Sequence, residues 1–553
     1  MRSIISVCRF QLECFLRSSI GLCALLFVLI APGVSVPCRA ASKPVINSFT
    51  AAGQKSSSGG NSFVLTWSTT GATKISIAPG SVASTSASGN VTTAPTKTTT
   101  YTLTATNAAG SVTSSATATV ALAITTTSCP GGTQTTAYTG CTIAATGGTP
   151  PYTFTVDSNG KYAPLPEGMS INESTGVITA ATIGGQGKYI PEIVVTDSVG
   201  NQATAQILFE INGNSAFLAN IFPANSIFHH RVDAATTGLP VDTSPAAAIY
   251  SAYLSEPIQP LFGNKGGGSF PWGIPAVEVP YNQPGVSVAT TLYSAMFTAG
   301  PIPSYAPVEG TKYSGGDRHV LVYLEPGPST SSIGAASNPA LYEMWEAIYE
   351  DGPWTDSSNA LWANANGNAL PPEGQGTSDA AGLPVAPLLV NADEVIGTGT
   401  PTAPNGAVKH PVRFTLNHMV NYWVWPATHT SGVGLCKTAA GTSISVMSEI
   451  SESTPPATCT WSGPAGEIYR LKASVESPAC AATSPQAAII ITGMRNYGII
   501  LADNGESGDL IGTPDARWND SDLACLNKIK LSDFEPVNVS SLIVSNTSGQ
   551  TSK

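Results

Sequence analysis

Residues 62–80, SFVLTWSTTGATKISIAPG, alternate apolar and polar side chains twice, once in FVLTWS and again in KISI, with a Thr-Gly turn between them. Alternation with period two lays one set of side chains on a single face of a strand. A glycine-bearing turn after so few residues returns the chain alongside itself. The pattern resumes in TYTLTATN, residues 100–107. Across residues 44–122 the apolar runs are short and Gly, Ser or Pro turns separate them roughly every eight to twelve residues, the spacing of a β-sandwich.

The bulk numbers agree with an exported β-rich protein. The 553 residues exceed what one hydrophobic core serves, so several domains are expected. Charged residues are 11%, with 54 Gly and 42 Pro, which is unlike a cytosolic helical enzyme. The formal net charge of −11 argues against nucleic acid as a partner, because phosphate recognition needs a concentrated basic surface. At the N-terminus, MRSIISVCRFQLECFLR carries Arg2, Arg9 and Arg17 and is followed by the uncharged run 18–38, then small residues around Ala40. That order reads as a signal peptide, residues 1–40, cleaved after Ala40, which leaves a mature chain near −14. An uncleaved segment would anchor the chain in a membrane, its only expected membrane contact. Six cysteines remain, Cys129, Cys141, Cys436, Cys459, Cys480 and Cys525, an even number that suggests disulfides in an oxidising compartment. Cys129 and Cys141 stand alone in one module and pair with each other; on proximity Cys436 pairs with Cys459 and Cys480 with Cys525.

The stretch 44–122 resembles the bacterial immunoglobulin-like modules of exported proteins, a resemblance carried by SFVLTWSTTGATKISIAPG, with Trp67 as its core tryptophan, and by the closing strands TTTYTLTATNAAGSVTSSATATV. Residues 123–212 resemble the immunoglobulin-like, cadherin-related modules of bacterial surface proteins, on GGTPPYTFTVDSNG, LPEGMSINESTGVITA and YIPEIVVTDSVGNQATAQILFEI. Cadherin-type relatives hold calcium between modules, which makes Asp157 and Asp197 metal candidates alongside Glu173. No full ligand string accompanies them, and calcium takes six to eight oxygens, so Asp197 also reads as a turn residue accepting backbone N–H groups. The expected fold is mainly β: two Ig-like β-sandwich modules, then a larger β-rich domain, sandwich or jelly-roll-like, with few helices.

That larger domain spans 213–545, with a disordered tail at 546–553. Its lines GGDRHVLV, LYEMWEA, HPVRFT, YWVWPATH and YGIILADNG resemble a family of secreted bacterial proteins of uncharacterised activity, which implies one domain and transfers no catalytic residue. Candidate strands are HVLVYLEP, ALYEMWEAIYE, PVRFTLN, YWVWPATH and EIYRLKASV. SPQAAIIITGMRNYG begins like a helix, though its Ile run also suits a buried strand. All six histidines lie in this domain.

Period two sets Arg318, Val320, Val322 and Leu324 on one face of their strand and His319, Leu321, Tyr323 and Glu325 on the other, more polar one. A neighbouring strand carrying Glu343 or Glu346 then places a carboxylate beside His319, an acid/base pair suited to glycoside hydrolysis or polysaccharide elimination. His410 and His429 are the next catalytic candidates. Arg318 and Arg413 are expected to anchor an acidic sugar, and Trp425 and Trp518, with Trp345 and Trp423, to stack on sugar rings. No GxSxG, HExxH or phosphate-loop motif is present. The expected function is a secreted or cell-surface protein that acts on or binds extracellular polysaccharide or a cell-surface glycan, its Ig-like modules serving as spacers. The alternative is a non-enzymatic adhesion or carbohydrate-binding protein, with Ca2+ as a possible cofactor through the cadherin-like module.

Overall fold

The computed structural model describes residues 42–552 except 55–61, 160, 245–246, 264–269, 294, 311–316, 328–337, 350–352, 376–377, 433–435, 438–442, 445–447, 450–457 and 460–462. The expected signal peptide lies outside the described residues. The chain is mainly β and forms two compact units, the second made of Thr117–Lys553 with the short segments Gly53–Phe63 and Thr93–Thr100.

In the first unit, strands β1 (Val45–Gln54), β2 (Ser62–Thr70) and β5 (Ser88–Thr93) form one sheet. Strands β3 (Lys74–Ala78), β4 (Val82–Ser84), β6 (Thr99–Asn107) and β7 (Gly110–Ala118) form the other, in the order β4-β3-β6-β7. Seven strands in two sheets, with β1-β2-β5 facing β4-β3-β6-β7, are an immunoglobulin-like sandwich. Its core is the inward set that the alternation singles out: Leu65, Trp67, Ile75, Ile77, Tyr101, Leu103 and Ala105 are buried.

The second unit begins with another β module. Its principal sheet pairs Tyr152–Val156, Glu192–Asp197 and Gln202–Gln206, all antiparallel. The inward residues Phe154, Ile193 and Val195 join a core with Tyr138, Ile178, Phe209 and Ile211. Cys129 and Cys141 form a disulfide in this module. The module packs directly on the rest of the unit. The buried Gln134 side-chain amide donates to the carbonyls of Gly184, 2.8 Å, and Ala276, 2.9 Å. The Ser215 hydroxyl donates to the Gln186 side-chain oxygen at 3.3 Å, and Ala516 N donates to Ile211 O at 3.3 Å. Gly187, at φ +110°, lets the backbone pass against Pro271 and Pro514, where a side chain would collide.

The remainder is built on two sheets. One is mixed and six-stranded, in the order Gln259–Leu261, Asp509–Ile511, Val412–Leu416, Ile499–Asn504, Ile468–Leu471 and Phe534–Pro536. Val412–Leu416 is buried at every residue, as central strands covered on both faces are. Helix α1 (Pro485–Asn496) covers this sheet with Ile490, Ile491 and Met494. It starts at a proline in its first turn, where the missing N–H costs nothing. The Ile run is therefore helical. The other sheet orders β8 (Ala276–Val279), β9 (Val320–Leu324), β10 (Ala340–Trp345) and β11 (Ser358–Trp362).

Sheet β8-β9-β10-β11 separates two cores. Leu321, Tyr323, Leu341 and Trp362 belong to the large core shared with the six-stranded sheet. Val277, Val320, Val322 and Met344 belong to a smaller one with Phe297, Ile302 and Trp354. Two expectations are corrected here. The tail is ordered through Thr551, because Ser548–Thr551 pairs with Ile543–Ser545 and Thr551 N donates to Asn225 O at 2.8 Å; backbone bonding fixes it without any apolar pattern. YWVWPATH is a strand only at Tyr422–Trp423, Pro426 lacking the N–H a ladder needs. Cys480 and Cys525 are bonded. Cys436 and Cys459 are register partners on adjacent antiparallel strands, their side chains lying outside the described residues. Among the described residues no helix is long and apolar enough to cross a membrane.

Candidate functional site

The register of β9 on β10 sets Val320 opposite Met344 and Leu321 opposite Glu343. The structure thus brings His319 and Glu343 together, linked through Ser378. His319 Nε2 donates to the Ser378 carbonyl at 2.7 Å, and Ser378 Oγ donates to Glu343 at 2.8 Å. The carboxylate that pairs with the ring is Glu309, 2.6 Å from Nδ1, a loop residue with no distinguishing pattern around it. Both partners of the ring are acceptors, so both nitrogens carry protons and His319 is an imidazolium. Burial alone would lower its pKa; Glu309 outweighs that and raises it. A ring 1% exposed, with both protons committed, is no general base.

Its polar face is therefore interior, which corrects the expectation drawn from alternation. Glu343, fully buried, accepts the backbone N–H groups of Ala386 at 2.8 Å and Val385 at 3.1 Å. Burial raises its pKa against those donors. It ties a loop to β10 and meets no solvent. Arg413, 2% exposed, is clasped between Asp379 and Asp503, the latter at 2.6 Å, and has no face free for a sugar. His410 repeats the arrangement of His319: Nδ1 faces Pro411 O at 2.9 Å and Nε2 faces Glu394 at 3.2 Å, an imidazolium inside the core. His429 is neutral instead, its pKa pushed down to about 4 by burial. Trp425 and Trp518 are 4% and 3% exposed and donate their indole N–H groups to the carbonyls of Ser548 and Thr513, so neither stacks on a ligand; Trp423 is buried beside them.

What reaches the surface lies at the end of β10. Trp345 is half-buried and Tyr293, 62% exposed, lies 6.1 Å from it between ring centroids at 39°. The same short segment is held by Tyr293 N and Ser357 N, which donate to Ser357 O and Trp345 O respectively. Glu346 follows, half-buried and at φ +52°, accepting the Ser357 hydroxyl at 2.5 Å. Opposite it, Arg318 is at φ +47°. Glu346 N donates to Asp317 O and Ala347 N to Arg318 O, so two side-chain-bearing residues in the left-handed region sit bonded across one sheet edge. Strained backbone of this kind gathers at ligand sites.

Beside this edge opens a cleft of about 800 Å3. One wall comes from the second β module, with Asp157, Glu167 and Met169; the other has Val308, Arg318, Tyr349 and Trp354. Among the described residues Arg318 is its only cation, and the Arg318 Nε is buried without a hydrogen-bond partner. Tyr349 and Trp354 form a tilted pair, 4.9 Å apart, with Tyr349 half-exposed. The two metal candidates diverge. Asp157 lines the cleft, its carboxylate accepting Asn159 N at 3.2 Å. Asp197 accepts Asn201 N, Thr149 N, Val199 N and the Asn201 amide, a turn-closing set; burial opposes but these donors lower its pKa. Among the described residues no cluster of three metal-ligating side chains occurs.

No family model and no curated protein matches the chain. Solved structures do. The titin Ig tandem domains A164–A165 are 13% identical, covering 31% of this chain and 97% of that one, with a TM-score of 0.19. The N-terminal eight Ig domains of Down Syndrome Cell Adhesion Molecule are 15% identical over 31% of this chain and 28% of that one, TM-score 0.16. A C-terminal fragment of intimin, solved with the intimin-binding domain of its translocated receptor, is 15% identical over 30% and 62%, TM-score 0.16. No activity or partner passes from these to this chain.

Proposed function

We propose that this is an exported glycan-binding protein whose recognition surface lies at the end of β10, with the first immunoglobulin-like module as a spacer. The observation that carries the reading is the pair of exposed Tyr293 and half-buried Trp345 beside Glu346 and Ser357. Tilted aromatic faces take the apolar face of a pyranose, and a carboxylate and hydroxyl at their edge accept and donate to its hydroxyl groups. The adjoining cleft repeats that mixture in Tyr349, Asp157, Glu167 and Arg318. Binding without turnover is favoured at this strand, since His319 has no lone pair to take a proton. Two disulfides suit an oxidising compartment.

Affinity electrophoresis of the mature chain through gels containing neutral and acidic polysaccharides tests this. Retardation by at least one polymer is expected, weakened roughly ten-fold by Tyr293→Ala and more by adding Trp345→Ala, from the ring area no longer buried. Migration unaffected by every polymer, or a double variant retarded like the parent, overturns the reading.

A further inference from the structure

The geometry points to a carboxylate-reading subsite in the cleft, centred on Arg318, so that the ligand is a glycan carrying isolated acidic sugars; this rests on the glycan reading above. A guanidinium normally spends its five N–H donors, and a buried donor without an acceptor is costly. The two other buried guanidinium groups of this domain face carboxylates: Arg413 has Asp379 and Asp503, and Arg470 has Glu535 at 2.7 Å. Arg318 has no carboxylate partner among the described residues, its backbone is held in the left-handed region, and it forms part of a cleft wall. A carboxylate bound at its terminal nitrogens supplies the missing counter-charge in one contact.

The other charges of the cleft narrow the ligand further. Asp157 and Glu167 share the lining with Arg318, and Glu167 already accepts the Tyr189 hydroxyl at 3.0 Å. Asp317 precedes Arg318 and is exposed. Such surroundings repel a chain bearing a negative charge on every sugar. They suit one acid group on Arg318 flanked by neutral sugars, whose hydroxyls donate to the two carboxylates of the lining. Met169, Val308 and Tyr349 then cover the apolar ring faces.

The test uses the mature chain, gellan, whose repeat carries a single glucuronate, the same polymer after carboxyl reduction, and polygalacturonate as the densely charged case. Gellan is expected to bind roughly ten-fold or more tightly than its reduced form, as a charge-assisted pair predicts, and more tightly than polygalacturonate. Arg318→Gln should erase the preference for the charged polymer over its reduced form with the melting temperature unchanged; Arg318→Lys should restore it only in part, lacking the fork. A preference that is absent, or that survives Arg318→Gln, overturns the subsite and leaves the glycan reading standing. Should no polymer bind, the glycan reading falls, and titration with glucuronate itself decides the subsite: saturable binding lost in Arg318→Gln upholds it, and no binding removes it.

Discussion

An imidazole placed between two oxygen acceptors and an imidazole whose charged form burial disfavours respond to pH in opposite senses, and this domain contains both. His319 and His410 have raised pKa values, burial being outweighed by Glu309 and Glu394. Their contribution to stability is full below the unfolded value near 6.5 and is lost as pH rises through the folded one. His429 has its pKa lowered to about 4, so its contribution is full above about 6.5 and is lost as pH falls toward 4, by at most about 3 kcal/mol. His429→Gln should therefore flatten the fall in melting temperature between pH 7 and pH 4.5, while Glu309→Gln should flatten the decline on the alkaline side of pH 6.5. Circular dichroism melts across that range check both; unchanged profiles would show that these rings are not held as described. His319 was legible in the sequence as an unusual residue in an apolar strand, and so was a neighbouring strand carrying Glu343 or Glu346, though not which of the two lies on its side. Its depth was not, because period two separates two faces without saying whether one of them meets water.

At the scale of elements, β9 is the instructive case. HVLVYLE alternates less than it seems: Val320, Leu321, Val322 and Tyr323 are all buried, since each face of the sheet has its own core. The immunoglobulin-like strands β2, β3 and β6 were legible residue by residue, because one of their faces is solvated and the pattern records it. Tyr293 and Glu309 carried no such signal; both sit in loops, where no periodicity exists to read. The disulfides make a separate prediction. Cys480–Cys525 closes 45 residues and Cys129–Cys141 closes 12, for which loop-closure entropy gives about 4 and about 3 kcal/mol. Paired Cys→Ser variants should each lower the unfolding midpoint in denaturant, the 45-residue loop more. Equal losses would mean that native strain or residual unfolded structure outweighs loop length.

At the scale of the whole molecule, composition placed the chain among β-rich proteins and the turn spacing marked its modules, but neither disclosed which modules share a core boundary. The second module and the larger domain form one unit, joined by the buried side chains of Gln134 and Gln186. A chain beginning at residue 213 leaves the Ala276 carbonyl without its donor and uncovers a face built to be covered. It should aggregate or melt well below a chain beginning at residue 117, which should fold with the full protein's near-ultraviolet spectrum. Equal melting temperatures for the two truncations would contradict a single unit. The cleft inherits this arrangement. Its walls, with Asp157, Glu167 and Met169 on one side and Val308, Arg318 and Trp354 on the other, are distant in sequence and belong to the two halves of that unit, so any molecule that touches both acts as a reversible staple between them. Saturating ligand then postpones the unfolding of both halves together, and the protein would be most resistant to proteolysis where its ligand is most abundant.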